Sequence, residues 1–380
     1  MHPIINERKK MKKGKDIESL AAELVKIRAS AKDIIVPTAK MRMVVTNPTS
    51  LVLEPEPRLQ FDNGMNFGFN NWPHQQVASY TNIPKGYYDK IKEEDTNVLA
   101  VCVNHGFQMA INMALAKKRP KHDSRLIRTV GGNIRGFLSD RYRVLDCYDL
   151  FETVAPILIE NGFEVLSSEL TERRMYIKAV TPKIQGDIIK GHPVQYGIVI
   201  SSSDVGCGSV RVEPFLYELV CTNGMTMEQT IKKFHLGGSN NEDDITELLT
   251  NEAKEARDKA TWLEVRDTVR GSMEYTVFER NLDKLRVASG QPIRAQIPDI
   301  VEVTMKEVGV TGDERKNDII KYLANGADGR GMNKWALANA FTWAAQSDAI
   351  DYDTASELER AGGKIIELPN NKWERLNKAA

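Results

Sequence analysis

Apolar and polar residues alternate through the middle third of the chain and recur at every third or fourth position through its last third. Between residues 125 and 222 the alternation predicts strands. FEVLSSEL and RRMYIKAV are two of them, joined at Thr171-Glu172; in the second, Met175, Ile177 and Ala179 fall on one face, with Arg174, Tyr176 and Lys178 on the other. Residues 194–202 and 209–220 read as another antiparallel pair around Gly206 and Gly208. Two apolar-and-basic runs flank Gly131-Gly132-Asn133, a tight-hairpin signature because glycine and asparagine tolerate positive φ. A helix over 150–160, ended by Asn161-Gly162, crosses this meander.

From residue 241 the period becomes helical. Residues 242–269 predict one long helix with an acidic first turn and a stripe of Ile245, Leu248, Leu249, Ala253, Ala256, Ala260 and Leu263. Further helices are expected near 274–288, 298–308, 313–325, 333–347 and 353–361. The first third is mixed. Asp16 opens a helix carrying Ile17, Leu20, Leu24 and Ile27 at helical spacing, while Pro48, Pro55, Pro57 and Asn63-Gly64 divide 36–69 into loops and short strands. Two short helices flank Asn82-Ile83-Pro84, 98–115 reads as a helix or a strand, and Pro120 closes the region. The expected class is α+β: a central antiparallel β-meander with a crossing helix, followed by an α-helical C-terminal region. The expected segments are a flexible basic arm (1–15), a mixed α/β region (16–120), a strand-rich core (121–240) and a helical region (241–380).

Composition adds bounds. With 380 residues, 41% hydrophobic and 27% charged, the chain can build a sizeable core in two or three subdomains. Cys102, Cys147, Cys207 and Cys221 have no paired short spacing, so neither a zinc ribbon nor a thioredoxin motif is indicated. No apolar run reads as long enough to span a bilayer and no signal-peptide core follows the basic ERKKMKKGK, so a cytoplasmic setting is expected, without a membrane partner.

Charge alters the picture locally. The chain balances 52 basic against 52 acidic residues, yet residues 117–143 hold nine Lys or Arg and two Asp. Arg125, Arg128, Arg135, Arg141 and Arg143 are interleaved with Phe137 and Tyr142, the combination a phosphate backbone with stackable bases requires. Arg174, Tyr176 and Lys178 form a second basic-aromatic-basic face. The same patterns also fit a solvated β-ribbon and a tyrosine packed between aliphatic stems. Lys232, Lys233 and His235, with Arg211, either extend a basic surface or end a solvated element.

Enzyme constellations are weak. Gly131-Gly132 and Gly237-Gly238 belong to neither a Walker loop nor a dinucleotide fingerprint, and the glycine-rich 326–331 stretch lies between helices. The six histidines (2, 74, 105, 122, 192, 235) form no metal-ligand spacing. Ser201-Ser202-Ser203-Asp204 lies where strands must turn, which suits turn chemistry better than a nucleophile. Asp140, Asp146 and Asp149 read as caps and ion-pair partners rather than nuclease carboxylates.

Several stretches together resemble the phage and plasmid proteins of the DUF 932 domain family: RGFLSDRYR over 135–143 followed by Asp149-Leu150, Glu169 to Glu172 leading to Met175–Lys178, Gly186-Asp187, Ser203-Asp204-Val205-Gly206, Val212–Tyr217 with Val220–Met225, Lys233 and His235, and Asn339–Thr342. The resemblance spans about residues 70–365. At Ser203-Asp204-Val205 it departs from the asparagine-serine-glutamate of relatives. The family carries no established reaction, and its place on mobile elements favours work on DNA. A weaker, architectural similarity links the strand-rich middle and following helix to phage single-strand annealing proteins of the Redβ, RecT and Erf kind.

The expected function is therefore a non-enzymatic, cofactor-free nucleic-acid-binding protein, single-stranded DNA binding or annealing in recombination or replication, with the stripe of the late helices buried either against another copy in a homo-oligomer or back on the chain's own sheet. The alternative is a phage structural or host-interaction protein that binds no nucleic acid.

Overall fold

The computed structural model describes residues 11–46, 55–117, 123–220, 222–227, 232–234 and 251–379. Residues 1–10 of the basic arm, Pro48, Lys118, Arg119, Pro120, Lys121, Cys221, His235, Gly237-Gly238 and the Ile245–Leu249 part of the expected stripe lie outside them.

Local signals set the first elements. Asp16 Oδ1 accepts from the Ser19 amide at 2.7 Å and starts α1 (Ile17–Ser30), which buries Leu20 and Leu24. Short strands follow: β1 (Lys32–Pro37), β2 (Met41–Thr46), β3 (Glu56–Phe61) and β4 (Asn66–Phe69). Then come α2 (Asn71–Tyr80), α3 (Lys85–Glu94) and α4 (Thr96–Ala116). The Gly131-Gly132 turn, with φ of 59° and 86°, joins β5 (Ser124–Val130) to β6 (Asn133–Ser139).

That hairpin does not open the strand-rich middle. It completes a six-stranded sheet of order β1-β5-β6-β4-β3-β2, antiparallel except for the parallel β4–β6 pair. Its Ile127, Ile134 and Phe137 join Leu59, Val77, Tyr88, Val103 and Phe107 in one core under α2–α4. The boundary expected at residue 121 therefore moves past residue 139, because β1 supplies the pairing partner for β5.

The second sheet is the expected meander. α5 (Cys147–Glu160) ends at Gly162, φ 71°, and leads into β7 (Glu164–Leu170), β8 (Met175–Asp187), β9 (Pro193–Ser202), β10 (Val210–Glu218), β11 (Asn223–Thr226) and β12 (Lys232–Phe234). Its order is β11-β10-β9-β8-β7, with β12 also on β10, all antiparallel. The helical region follows: α6 (Asn251–Ser272), α7 (Tyr275–Ser289), α8 (Ile297–Val308), α9 (Asp313–Ala324), α10 (Lys334–Ala344), α11 (Tyr352–Glu367) and α12 (Asn370–Ala379). The class is α+β, as the pattern predicted.

Two expectations change. α6 buries Val265 and Val269, while Ala256, Ala260 and Leu263 of the expected stripe are exposed. α4 is a helix long and apolar enough to cross a membrane by length and composition, at a mean hydropathy of 1.4, where none was expected; its inner face packs against the first sheet's core.

Candidate anion-binding site

Cross-strand register builds one face of the second sheet. Tyr176, Ser201 and Arg211 lie side by side on β8, β9 and β10; two residues along, Lys178, Val199 and Glu213 form the next row. α11 covers this face and supplies matching charge. Tyr176 Oη donates to Asp353 Oδ1 at 2.8 Å, Lys178 Nζ meets Glu359 Oε2 at 2.5 Å, and Arg360 reaches Glu213 through Nε at 3.1 Å and a terminal nitrogen at 2.5 Å. Burial opposes charge on Lys178, but the Glu359 carboxylate beside it holds the ammonium above its ordinary pKa. Burial, with Asp353 adding to it, pushes the Tyr176 phenol up.

Where this polar layer ends, a cavity of about 400 Å³ opens between the sheet, α11 and the α8–α9 turn. Arg174, Arg211, Arg315, Arg360 and Lys364 line it, with Glu357 as the lining carboxylate. Arg174 and Arg315 donate to backbone carbonyls, of Cys207 and Thr311 respectively. Arg211 Nε is buried with no hydrogen-bond partner among the described residues. Burial, then the positive charge of Arg360, pulls Arg211 below the usual guanidinium range. Glu213 pairs with Arg360, and among the described lining residues Glu357 is the carboxylate left to offset Arg174, Arg211, Arg315 and Lys364. An oxyanion entering the cavity would give Arg211 an acceptor and relieve the repulsion around it.

The predicted hairpin surface is not there. Arg128 is 3% exposed, donating to Asp33 at 2.9 Å, Asp146 at 2.6 Å and the Asp204 carbonyl at 2.7 Å. Burial opposes its charge, and the three aspartates more than offset that. Arg135 pairs with Asp204, and Arg143 with Asp258 and Thr261 at 2.7 and 2.9 Å. Phe137 is fully buried, stacked on Phe107; the Arg125 guanidinium lies 4.5 Å above Tyr80 and 5.1 Å from the Phe137 centroid. Tyr142 is half-buried, donating to the Ser203 carbonyl at 3.1 Å, and burial pushes its phenol up to about 12. Arg141 is exposed. The hairpin forms as expected, with a register shift between Arg128 and Thr129, but a carboxylate or an aromatic ring faces most of its arginines.

Of the ten residues expected to bind nucleic acid, Arg174 and Tyr176 line the basic cavity, and the buried Tyr176 offers no stacking face. Lys178 is wholly buried and neutralised. Arg211, named as an extension of the basic surface, lies at the centre. Arg315, Arg360 and Lys364 carried no sequence signal, being ordinary cations on amphipathic helices.

The remaining candidates resolve into structure. Ser203 Oγ accepts from the Cys207 amide at 2.9 Å, a turn role, and Asp204 serves the two arginines. Asp149 pairs with Arg28 at 3.1 Å. Among the described residues no group of three His, Cys, Asp or Glu is placed to hold a metal. A second cavity, about 290 Å³, surrounds the Arg128 cluster, but there Arg28, Arg128 and Arg135 face Asp33, Asp146 and Asp204 and no charge is left over. No protein-family model matches the chain, and no curated protein and no solved structure shows significant similarity to it.

Proposed function

We propose that this is a non-enzymatic binding protein for a phosphodiester ligand, single-stranded nucleic acid, engaged through the basic cavity rather than the hairpin. The observation that carries the reading is the convergence of Arg174, Arg211, Arg315 and Lys364, beside the Glu213-paired Arg360, on one open, polar cavity, with Arg211 Nε unsatisfied among the described residues. Arginine's planar fork matches phosphate oxygens, and such charge-assisted bonds are about twice as strong as neutral ones. A role in recombination or replication is part of the same proposal.

Anisotropy titration with a short labelled oligothymidylate at low and moderate salt tests it. Binding is expected at low salt. Arg211→Met, which keeps the stem and removes the donor fork, should weaken it roughly tenfold or more, the equivalent of one charge-assisted hydrogen bond. Lys85→Ala, on α3 beside the first sheet, should leave it unchanged. Absence of oligonucleotide binding at low salt would overturn the proposal, and saturation of the site by inorganic phosphate alone would assign the cavity to a small anion instead.

A further inference from the structure

Taking the basic cavity as the site for single-stranded nucleic acid, we infer that it holds the end of the strand: a terminal phosphate, which is a phosphomonoester, in preference to the phosphodiesters within the strand.

Charge favours the larger anion. Arg360 is taken up by Glu213, Lys178 by Glu359, and Asp353 by Arg173 and Tyr176. Among the described lining residues, the half-buried Arg174, Arg211, Arg315 and Lys364 then face a single carboxylate, the exposed Glu357. Asp313 and Glu314, in the first turn of α9, are exposed and do not line the cavity. A diester within a strand carries a single negative charge. A phosphomonoester carries about 1.5–2 at pH 7 and offers about three strong acceptor oxygens. Arginine forks on more than one side can then each find an oxygen.

Shape favours an end. A groove that tracks a strand sets its cations along the path of the backbone. Here they come from β8, β10, α9 and α11 and converge on one half-enclosed space of about 400 Å³, the size of a pocket for one small ligand. Two of them are fixed in advance. The carbonyls of Cys207 and Thr311 orient Arg174 and Arg315 without neutralising them, and Gly208, φ 136°, leaves room where a Cβ would overlap the Arg174 guanidinium. Between Tyr176 and Arg211 in the sheet register lies Ser201, whose buried hydroxyl, like Arg211 Nε, has no partner among the described residues. Two neighbouring donors without acceptors suit a ligand group made of acceptors.

The test is competition on the full chain at low salt. An internally labelled oligothymidylate with hydroxyl ends is displaced by unlabelled strands of the same length, ending in two hydroxyls, a 5′-phosphate, a 3′-phosphate or the methyl ester of the 5′-phosphate. One phosphorylated end is expected to compete roughly tenfold or more better than the hydroxyl-ended strand, and which of the two does so identifies the end held. The methyl ester, a diester again, should compete no better than hydroxyl ends. Arg211→Met, with a wild-type circular dichroism spectrum, should erase the gain. Equal competition by all four strands would overturn the inference while leaving strand binding at the cavity intact. A gain that survives Arg211→Met, or is kept by the methyl ester, would overturn it as well, and no binding of any strand would overturn both it and the function proposed for the cavity.

Discussion

Buried polar residues decide the behaviour of single positions here. Lys178, Arg128 and Arg330 are all within a few per cent of full burial, and each meets a carboxylate: Glu359, the Asp33/Asp146/Asp204 set, and Glu218 at 2.6 Å. Removing one partner of such a pair leaves an uncompensated buried charge, which is why none of these cations is available to a ligand. His74 shows the opposite solution. Its ring stacks on Phe69 at 4.8 Å, its Nδ1 lies 2.8 Å from the Tyr88 hydroxyl, and the favourable charge of Asp89 is outweighed. Burial, with the charges of Lys92 and Lys85 adding to it, lowers its pKa to about 3. The unfolded chain, with a histidine near 6.5, takes up the proton first. The stability present above about pH 6.5 should then be lost as pH falls toward 3, at about 1.4 kcal/mol per pH unit. Urea unfolding at about pH 7 and about pH 5 should differ by about 2 kcal/mol from this source, and His74→Gln should remove that share. An equal pH dependence in the variant would contradict it.

Elements were legible where their signals are local. The Asp16 cap, the Gly131-Gly132 turn, the Asn161-Gly162 stop and the alternation of β8 all rest on backbone geometry within a few residues, and each is found. What was not legible depends on distant partners. The polar face of β8 reads as solvent-exposed until α11, almost two hundred residues further on, lays Asp353 and Glu359 over it. α11 itself was expected to end before Gly362-Gly363, yet it runs through them to Glu367. The reason is close approach: a Cβ on Gly363 would lie 2.0 Å from the Thr226 carbonyl oxygen of β11, and one on Gly362 would lie 2.7 Å from Thr342. Alanine in an exposed helix position would stabilise by about 1 kcal/mol. Gly363→Ala should instead destabilise by about 2 kcal/mol, an overpacking cost, measured by thermal or urea unfolding. A stabilised variant would show that α11 does not press on β11 as described.

At the scale of the molecule, the two sheets are tied by the loop after β9. Val205 accepts from Trp72 Nε1 at 2.9 Å and Gln76 Nε2 at 2.8 Å, and Asp204 takes both Arg128 and Arg135. The basic hairpin is this joint, which is why its cations face inward. The chain's net charge of zero concealed two different uses of arginine: paired and buried at the joint, incompletely paired around the cavity. Sequence located the first cluster because its arginines lie close together in the chain, although their partners Asp33 and Asp204 do not. It could not assemble the second, whose members come from the start of β8, from β10, α9 and α11. The most direct measurement is the salt dependence of single-strand binding by the wild type and by Arg315→Ala with Lys364→Ala. If both cations neutralise phosphates, the slope of log affinity against log salt should shrink by about 1.4, at about 0.7 per contact. An unchanged slope in the folded double variant would contradict the account.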